Sequence, residues 1–229
     1  MKKKFVRLLA SALTCAVVLA GGYLYREYTQ TTEEVVSIDN IPEYSGSAYC
    51  NLEDYDTLKD VDWKEGYDSY SSDSLGRCTT AEALVGAETM PTDDREDISN
   101  VEPTGWNNKR YDSDLVDGGW VYNRCHLIGY QLTGENDNEE NLITGTRYLN
   151  IEGMLPFEND VAEYVKDTGN HVKYKVTPVY SGSNLVASGV IMEAESVEDS
   201  GKGIDFDVYC YNVQPGINID YATGENSLE

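Results

Sequence analysis

The chain has 229 residues and carries 17 basic against 41 acidic side chains, a formal net charge of −24. That balance excludes a protein that grips nucleic acid through a broad basic surface, because neutralising phosphates with Lys and Arg supplies most non-specific affinity. About 200 residues follow Arg26, room for one compact domain and a linker, since single domains commonly run ~100–200 residues.

Lys2, Lys3, Lys4 and Arg7 precede an uncharged stretch over residues 8–25, the layout of an export signal. That stretch is near the lower length limit for spanning a bilayer, and Ala20-Gly21-Gly22 is a passable cleavage site. Cleaved secretion and a retained anchor therefore stand as equal readings of residues 1–26, and membrane contact is expected only through this segment. Residues 27–45 lack a sustained apolar period and read as a linker, leaving residues 46–229 as the folded domain. Beyond Arg26 the 12 remaining basic residues face all 41 acidic ones, a net of −29.

Cys15 lies in the N-terminal segment, in a poor lipoprotein context. Cys50, Cys78, Cys125 and Cys210 remain, an even number in an exported chain, which allows two disulfides in three pairings. Cys50 with Cys210 and Cys78 with Cys125 is the pairing entertained. No CxxC pair occurs, which argues against a structural zinc site.

In chain order, residues 118–129 predict a strand, with polar Asn123, Arg124 and His126 among apolar neighbours. Residues 133–140 are a polar, acidic loop; a calcium site there lacks the EF-hand spacing and its glycine. Residues 141–145 predict a short strand, and residues 146–155 a helix that Pro156 ends. Val161, Ala162, Tyr164 and Val165 have helical spacing, with Gly169 as the stop. Three strands follow, over residues 171–176, 185–192 and 206–213. The pattern is mixed, with several strands and few helices.

The chain has two histidines. His171 opens a strand after a helix stop and reads as a surface or capping residue. His126 stands two residues from Arg124, so on a strand both side chains leave the same face and together suit one phosphate. Cys125 alternates to the opposite face, which rules it out as a nucleophile beside His126 and leaves a disulfide or a buried thiol. Arg147, three residues before Asn150, suits a surface ion pair as well as a phosphate contact.

The run NRCHLIGYQLTGENDNEENLITGTRYLNIEGMLPFEND resembles the DNA/RNA non-specific endonucleases with the ββα-metal fold, in the branch of DNA-entry and streptococcal secreted nucleases. The family hallmark Asp-Arg-Gly-His looks like Asn123-Arg124-Cys125-His126 here, with departures at Asn123 and Cys125. By the same resemblance Asn150 falls on the metal-binding asparagine, Asn141 on an upstream active-site asparagine, and Glu158 on a glutamate that orients metal-bound water. Gly145 stands where a glutamine is common. The similarity runs from about Gly76 to the end of the chain.

The resemblance implies an α+β fold, a ββα-metal core with a central antiparallel sheet and few helices. It implies hydrolysis of DNA, with RNA open as a second substrate, by His126 as general base, Arg124 as phosphate holder and one Mg2+ on Asn150, Mn2+ being a workable substitute. Products would carry 5′ phosphate and 3′ hydroxyl. An ordinary histidine pKa of ~6.5 would place the loss of such activity below about pH 6. A secreted or surface-anchored location follows, with no obligate protein partner. Two other readings remain: a non-catalytic surface binding protein on the same scaffold, which the acidic charge suits, and a calcium-dependent adhesin resting on the acidic loop.

Overall fold

The computed structural model describes residues 40–229. The export or anchor segment, and the linker as far as residue 39, lie outside the described residues. Ile41 and Tyr44 pack against the sheet, and the Tyr211 hydroxyl donates to the Pro42 carbonyl at 3.0 Å. The folded domain therefore takes in residues that the sequence placed in the linker. Their apolar side chains are too few to give a period and find partners only in the tertiary fold.

Ten strands build the domain. β1 (Tyr49–Asn51), β2 (Asp68–Ser72), β3 (Cys78–Val85), β6 (Val172–Val179), β7 (Gly189–Ser196) and β8 (Asp205–Tyr211) form one antiparallel sheet in the order β1-β8-β7-β6-β3-β2. β6 alternates buried and half-buried residues as the period of two requires, whereas β7 is buried almost throughout. The reason is that both faces of the central sheet are covered. Val190, Met192, Val208 and Cys210 point into the main core, while Ile191, Tyr209 and Tyr211 point into a second cluster closed by Leu52 and the segment around Tyr44.

The main core is roofed by a smaller unit. β4 (Tyr122–His126) pairs antiparallel with β5 (Leu142–Thr146), with Arg124 opposite Thr144 and His126 opposite Leu142. Between them lie a single helical turn, α1 (Tyr130–Thr133), and the acidic loop. After β5 a π-helical turn (Leu149–Met154) runs straight into α2 (Leu155–Thr168). Val161, Ala162 and Val165 of α2, with Cys125, Leu127, Ile143 and Leu149, pack down onto the sheet. Asn212, fully buried, rivets the hairpin there: its carboxamide accepts from the Thr146 N–H at 2.8 Å and donates to the carbonyls of Thr144 and Ala187. A second hairpin, β9 (Ile217–Ile219) with β10 (Asn226–Leu228), closes the far end.

Two sequence expectations are corrected here. Pro156 does not end a helix. It sits in the first turn of α2, where a missing N–H costs nothing, and the π-turn upstream, with the Leu155 N–H donating to the Asn150 carbonyl, carries the chain through. Nor do the cysteines pair: Cys50, Cys78, Cys125 and Cys210 are all free thiols. Tyr49 and not Cys50 stands opposite Cys210 in the register, so the two sulfurs lie on opposite faces of the sheet. The Cys78 thiol sits 3.3 Å from the carbonyls of Glu139 and Leu142, away from Cys125.

Candidate active site

The ββα unit opens on a cavity of about 1040 Å3. His126, at the end of β4, and Asn150 and Glu158, from the helix, all line it, together with Arg95, Arg124 and Arg147. Strand alternation puts Arg124 and His126 on the cavity side of β4 while Cys125 enters the core, as the sequence indicates.

His126 is buried and held at both nitrogens. Its Nε2 lies 2.8 Å from the Asn136 carbonyl, and its Nδ1 lies 3.3 Å from an Nη2 of Arg95. A carbonyl only accepts and a guanidinium only donates, so these partners assign the proton to Nε2 and leave Nδ1 as the basic nitrogen. Burial pushes the His126 pKa down to about 4, with the Arg95 charge adding to the effect. The histidine is thus neutral through the neutral pH range. The acidic loop supplies the carbonyl that orients it, a role its composition alone does not reveal.

Glu158 is the counterpart. Burial pushes its pKa up to about 7, while the Gly129 N–H and the Arg95 charge pull the other way. Gly129 is a glycine for a local reason: a Cβ there would lie 2.6 Å from a carboxylate oxygen of Glu158. Asn150 belongs to the π-turn, and its Oδ1 accepts from the Cys125 thiol at 3.2 Å. A π-turn shifts the following helix relative to the preceding one, and here it brings Asn150 and Glu158, eight positions apart, to one cavity. The Asn150 amide oxygen and the Glu158 carboxylate are hard oxygen donors that the π-turn and α2 bring to it, and the Asp97 carboxylate reaches it from the loop before β4.

Two of the sequence candidates are placed differently. Asn141 is fully buried and does not line the cavity; its Oδ1 accepts from the Ile128 N–H at 2.9 Å and its Nδ2 donates to the Ile128 carbonyl at 3.0 Å. It staples the exit of β4 to the entry of β5. Arg124 reaches the cavity but is already engaged. Its Nη2 donates to the Ser99 carbonyl at 2.6 Å, its Nε to the Val101 carbonyl, and its guanidinium stacks 4.5 Å from the Trp106 ring centroid. It braces the loop over residues 95–108. Arg147 pairs with Asp117 at 2.8 Å.

Arg95 is the residue that the sequence reading misses. It stands alone among Asp93, Asp94, Glu96 and Asp97, and a single cation inside an acidic run was the available signal. His171 lies elsewhere, between Glu198 and Glu88, and the Glu198 contact raises its pKa. Among the described residues no group of three His, Cys, Asp or Glu side chains forms a metal cluster, the acidic loop included.

A deoxyribonuclease of Streptococcus dysgalactiae subsp. equisimilis is 27% identical to the chain; the match takes in 61% of this chain and 56% of that protein, so the chain spans about half the length of that relative. NucA of Streptococcus agalactiae, solved with no metal bound, superposes with a TM-score of 0.71 at 28% identity, covering 84% of this chain and 92% of NucA. Its magnesium-bound form gives 0.65 at 28% identity, covering 78% and 84%. The Sda1 nuclease with bound zinc gives 0.61 at 30% identity, covering 71% and 80%. Residues 56–198, well over half of the chain, match the family described as DNA/RNA non-specific endonuclease. That match shows the family: the chain belongs to the DNA/RNA non-specific endonucleases.

Proposed function

We propose that the chain is an exported, divalent-metal-dependent endonuclease that hydrolyses DNA phosphodiester bonds without strong sequence preference. The observation that carries this reading is the fixed His126 imidazole. Its Nε2–H is tied to a backbone carbonyl, and its Nδ1 stands free of every acceptor in a cavity shared with Asn150 and Glu158. Export rests on the N-terminal segment.

In the proposed reaction Nδ1 of His126 takes a proton from water as its oxygen attacks phosphorus. The bond to the 3′ oxygen breaks, that oxygen takes a proton from solvent, and the products carry 5′ phosphate and 3′ hydroxyl. Glu158 orients the water near Asn150. Arg95, whose guanidinium is not tied to backbone carbonyls as that of Arg124 is, leaves His126 to hold a phosphate oxygen. Arg124 keeps the loop that carries Arg95 in place.

The residues fit a hard cation. Asn150 offers a neutral amide oxygen, and Glu158, a buried carboxyl whose pKa is pushed up to about 7, is a group that a cation would return to its charged form. Few protein ligands and retained waters are the mode of Mg2+, with Mn2+ as a substitute, and the magnesium in the NucA structure supports the choice. When bound, the ion supplies charge stabilisation at the phosphorane and at the leaving oxygen.

Incubation with supercoiled plasmid tests the reading. Nicking is expected with Mg2+, none with EDTA, and none with the folded His126→Ala variant. Absence of cutting by the wild type with any divalent metal would leave the non-catalytic binding protein as the reading, which the acidic charge suits. RNA alongside plasmid DNA decides whether the second substrate is used.

A further inference from the structure

Cys125 stands where the family hallmark has a glycine, and its side chain has a specific neighbourhood. Its Sγ lies 3.2 Å from Oδ1 of Asn150 and 3.5 Å from Sδ of Met154. Across the β4–β5 pair, Gly145 leaves it room: a Cβ at position 145 would lie 2.5 Å from the Cys125 Cβ and 3.1 Å from its Sγ. The next neighbour, Cδ2 of Leu149, would be at 3.4 Å, an ordinary contact. Positions 125 and 145 therefore form a matched pair in which only one can carry a side chain. In this chain it is position 125, and that choice brings an S–H donor to the amide of Asn150.

An asparagine amide has two ends of nearly equal size, one an acceptor and one a donor, and its terminal torsion is soft. Without a partner in the wall it presents either end to the cavity. We propose that Cys125 is a positioning residue for the cation site. Its thiol donates to one lone pair of the Asn150 Oδ1 and holds the amide so that the other lone pair serves a divalent cation. The proposal rests on the endonuclease reading, in which Asn150 is the protein ligand of the ion. Met154 Sδ is the sulfur's soft neighbour, and the thiol has one polar partner in reach apart from the His126 carbonyl at 3.7 Å.

Partners that orient a metal ligand typically account for ~10–100-fold in metal affinity. A thiol is a weak donor, so the lower end applies. The test is Mg2+ binding by calorimetry on the full chain without nucleic acid, for wild type, Cys125→Ser, Cys125→Ala and the double variant Cys125→Gly/Gly145→Ala. The double variant moves the side chain to the other member of the pair, so its melting temperature in EDTA should lie close to that of wild type, while Gly145→Ala alone should lower it. Cys125→Ser, which keeps a donor, should bind Mg2+ within about twofold of wild type, whereas Cys125→Ala and the double variant should bind about tenfold more weakly. Plasmid cleavage should need correspondingly more Mg2+ and recover at saturation. Wild-type Mg2+ affinity in the folded double variant would overturn the proposal, as would failure of that variant to fold, which would deny the matched pair. Absence of Mg2+ uptake by the wild type would instead strike at the metal-dependent reading itself, and this inference would fall with it.

Discussion

Burial drives the two titratable groups of the cavity in opposite directions, His126 down to about 4 and Glu158 up to about 7. Each shift links protonation to folding with its own sign. The depressed His126 pKa stabilises the fold above the ordinary value of 6.5, and that contribution is lost as pH falls toward 4. The raised Glu158 pKa stabilises the fold below its ordinary 4.5, and that contribution is lost as pH rises through 7. Glu158→Gln removes only the second. In EDTA, urea unfolding should therefore show the variant gaining on the wild type by about 3 kcal/mol between pH 4.5 and 7. A constant difference across that range would mean that the Glu158 carboxyl is not held in its neutral form. The acid limb of activity expected below about pH 6 from an ordinary histidine moves lower for the same reason. The two arginines divide as sharply. Arg124 was legible because it neighbours His126 in sequence, and its guanidinium is engaged by the Ser99 and Val101 carbonyls. Arg95 lies 31 residues upstream of the histidine it meets, a separation that no local pattern crosses. Arg95→Ala should lower kcat/KM by about 100-fold with its melting temperature kept, in line with loss of a charge-assisted hydrogen bond worth roughly 1.5–3 kcal/mol. Arg124→Ala should lower the melting temperature first, and the reverse pattern would return the phosphate contact to Arg124.

At the level of elements the strands were readable because their period of two survives in β6, and because turn residues separate β6, β7 and β8. The helix was cut in two at Pro156, because proline breaks an α-helix in its interior but not in its first turn, and sequence alone does not say where a first turn begins. The π-turn that settles it arises from tertiary packing, with Leu149 and Met154 held in the core. Asn141 shows the same limit at a junction. The resemblance implied an active-site role, whereas the fold uses both ends of its carboxamide on Ile128. Asn141→Ala leaves a buried N–H and a buried carbonyl unpaired, at about 1–3 kcal/mol each. Denaturant unfolding should show a loss of roughly 2–4 kcal/mol, with cleavage per folded molecule reduced far less than in His126→Ala. A stable but inactive Asn141→Ala protein would place the asparagine in the chemistry after all.

On the scale of the whole molecule, a net charge of −24 sets the proposed nuclease against its polyanionic substrate, and the fold answers by location. Arg95, Lys109, Arg124 and Arg147 line one cavity, while Arg110 lies over Trp120 with its Cζ 6.0 Å from the ring centroid. Charge totals are visible in a sequence, but this gathering is not, because the loop over residues 86–121 joins β3 to β4 without a regular element of its own. With few cations free for phosphates, binding should depend only weakly on salt: KM for duplex DNA should rise no more than about tenfold between roughly 50 and 200 mM, against the ~10³–10⁵ losses of proteins making 6–10 phosphate contacts. Affinity must then have another source, and Trp120 supplies one. It is 50% exposed at the rim of the cavity, whereas Trp63 and Trp106 are half-buried. A base stacked on such a ring contributes ~1–3 kcal/mol whatever its identity, which suits cutting without sequence preference. Trp120→Ala should therefore raise KM by about 5–100-fold, leave kcat in place and leave the salt slope unchanged, since no phosphate contact is lost. A KM equal to that of wild type would confine recognition to the phosphates, and a steeper salt slope in the variant would show that the indole had been shielding an arginine contact.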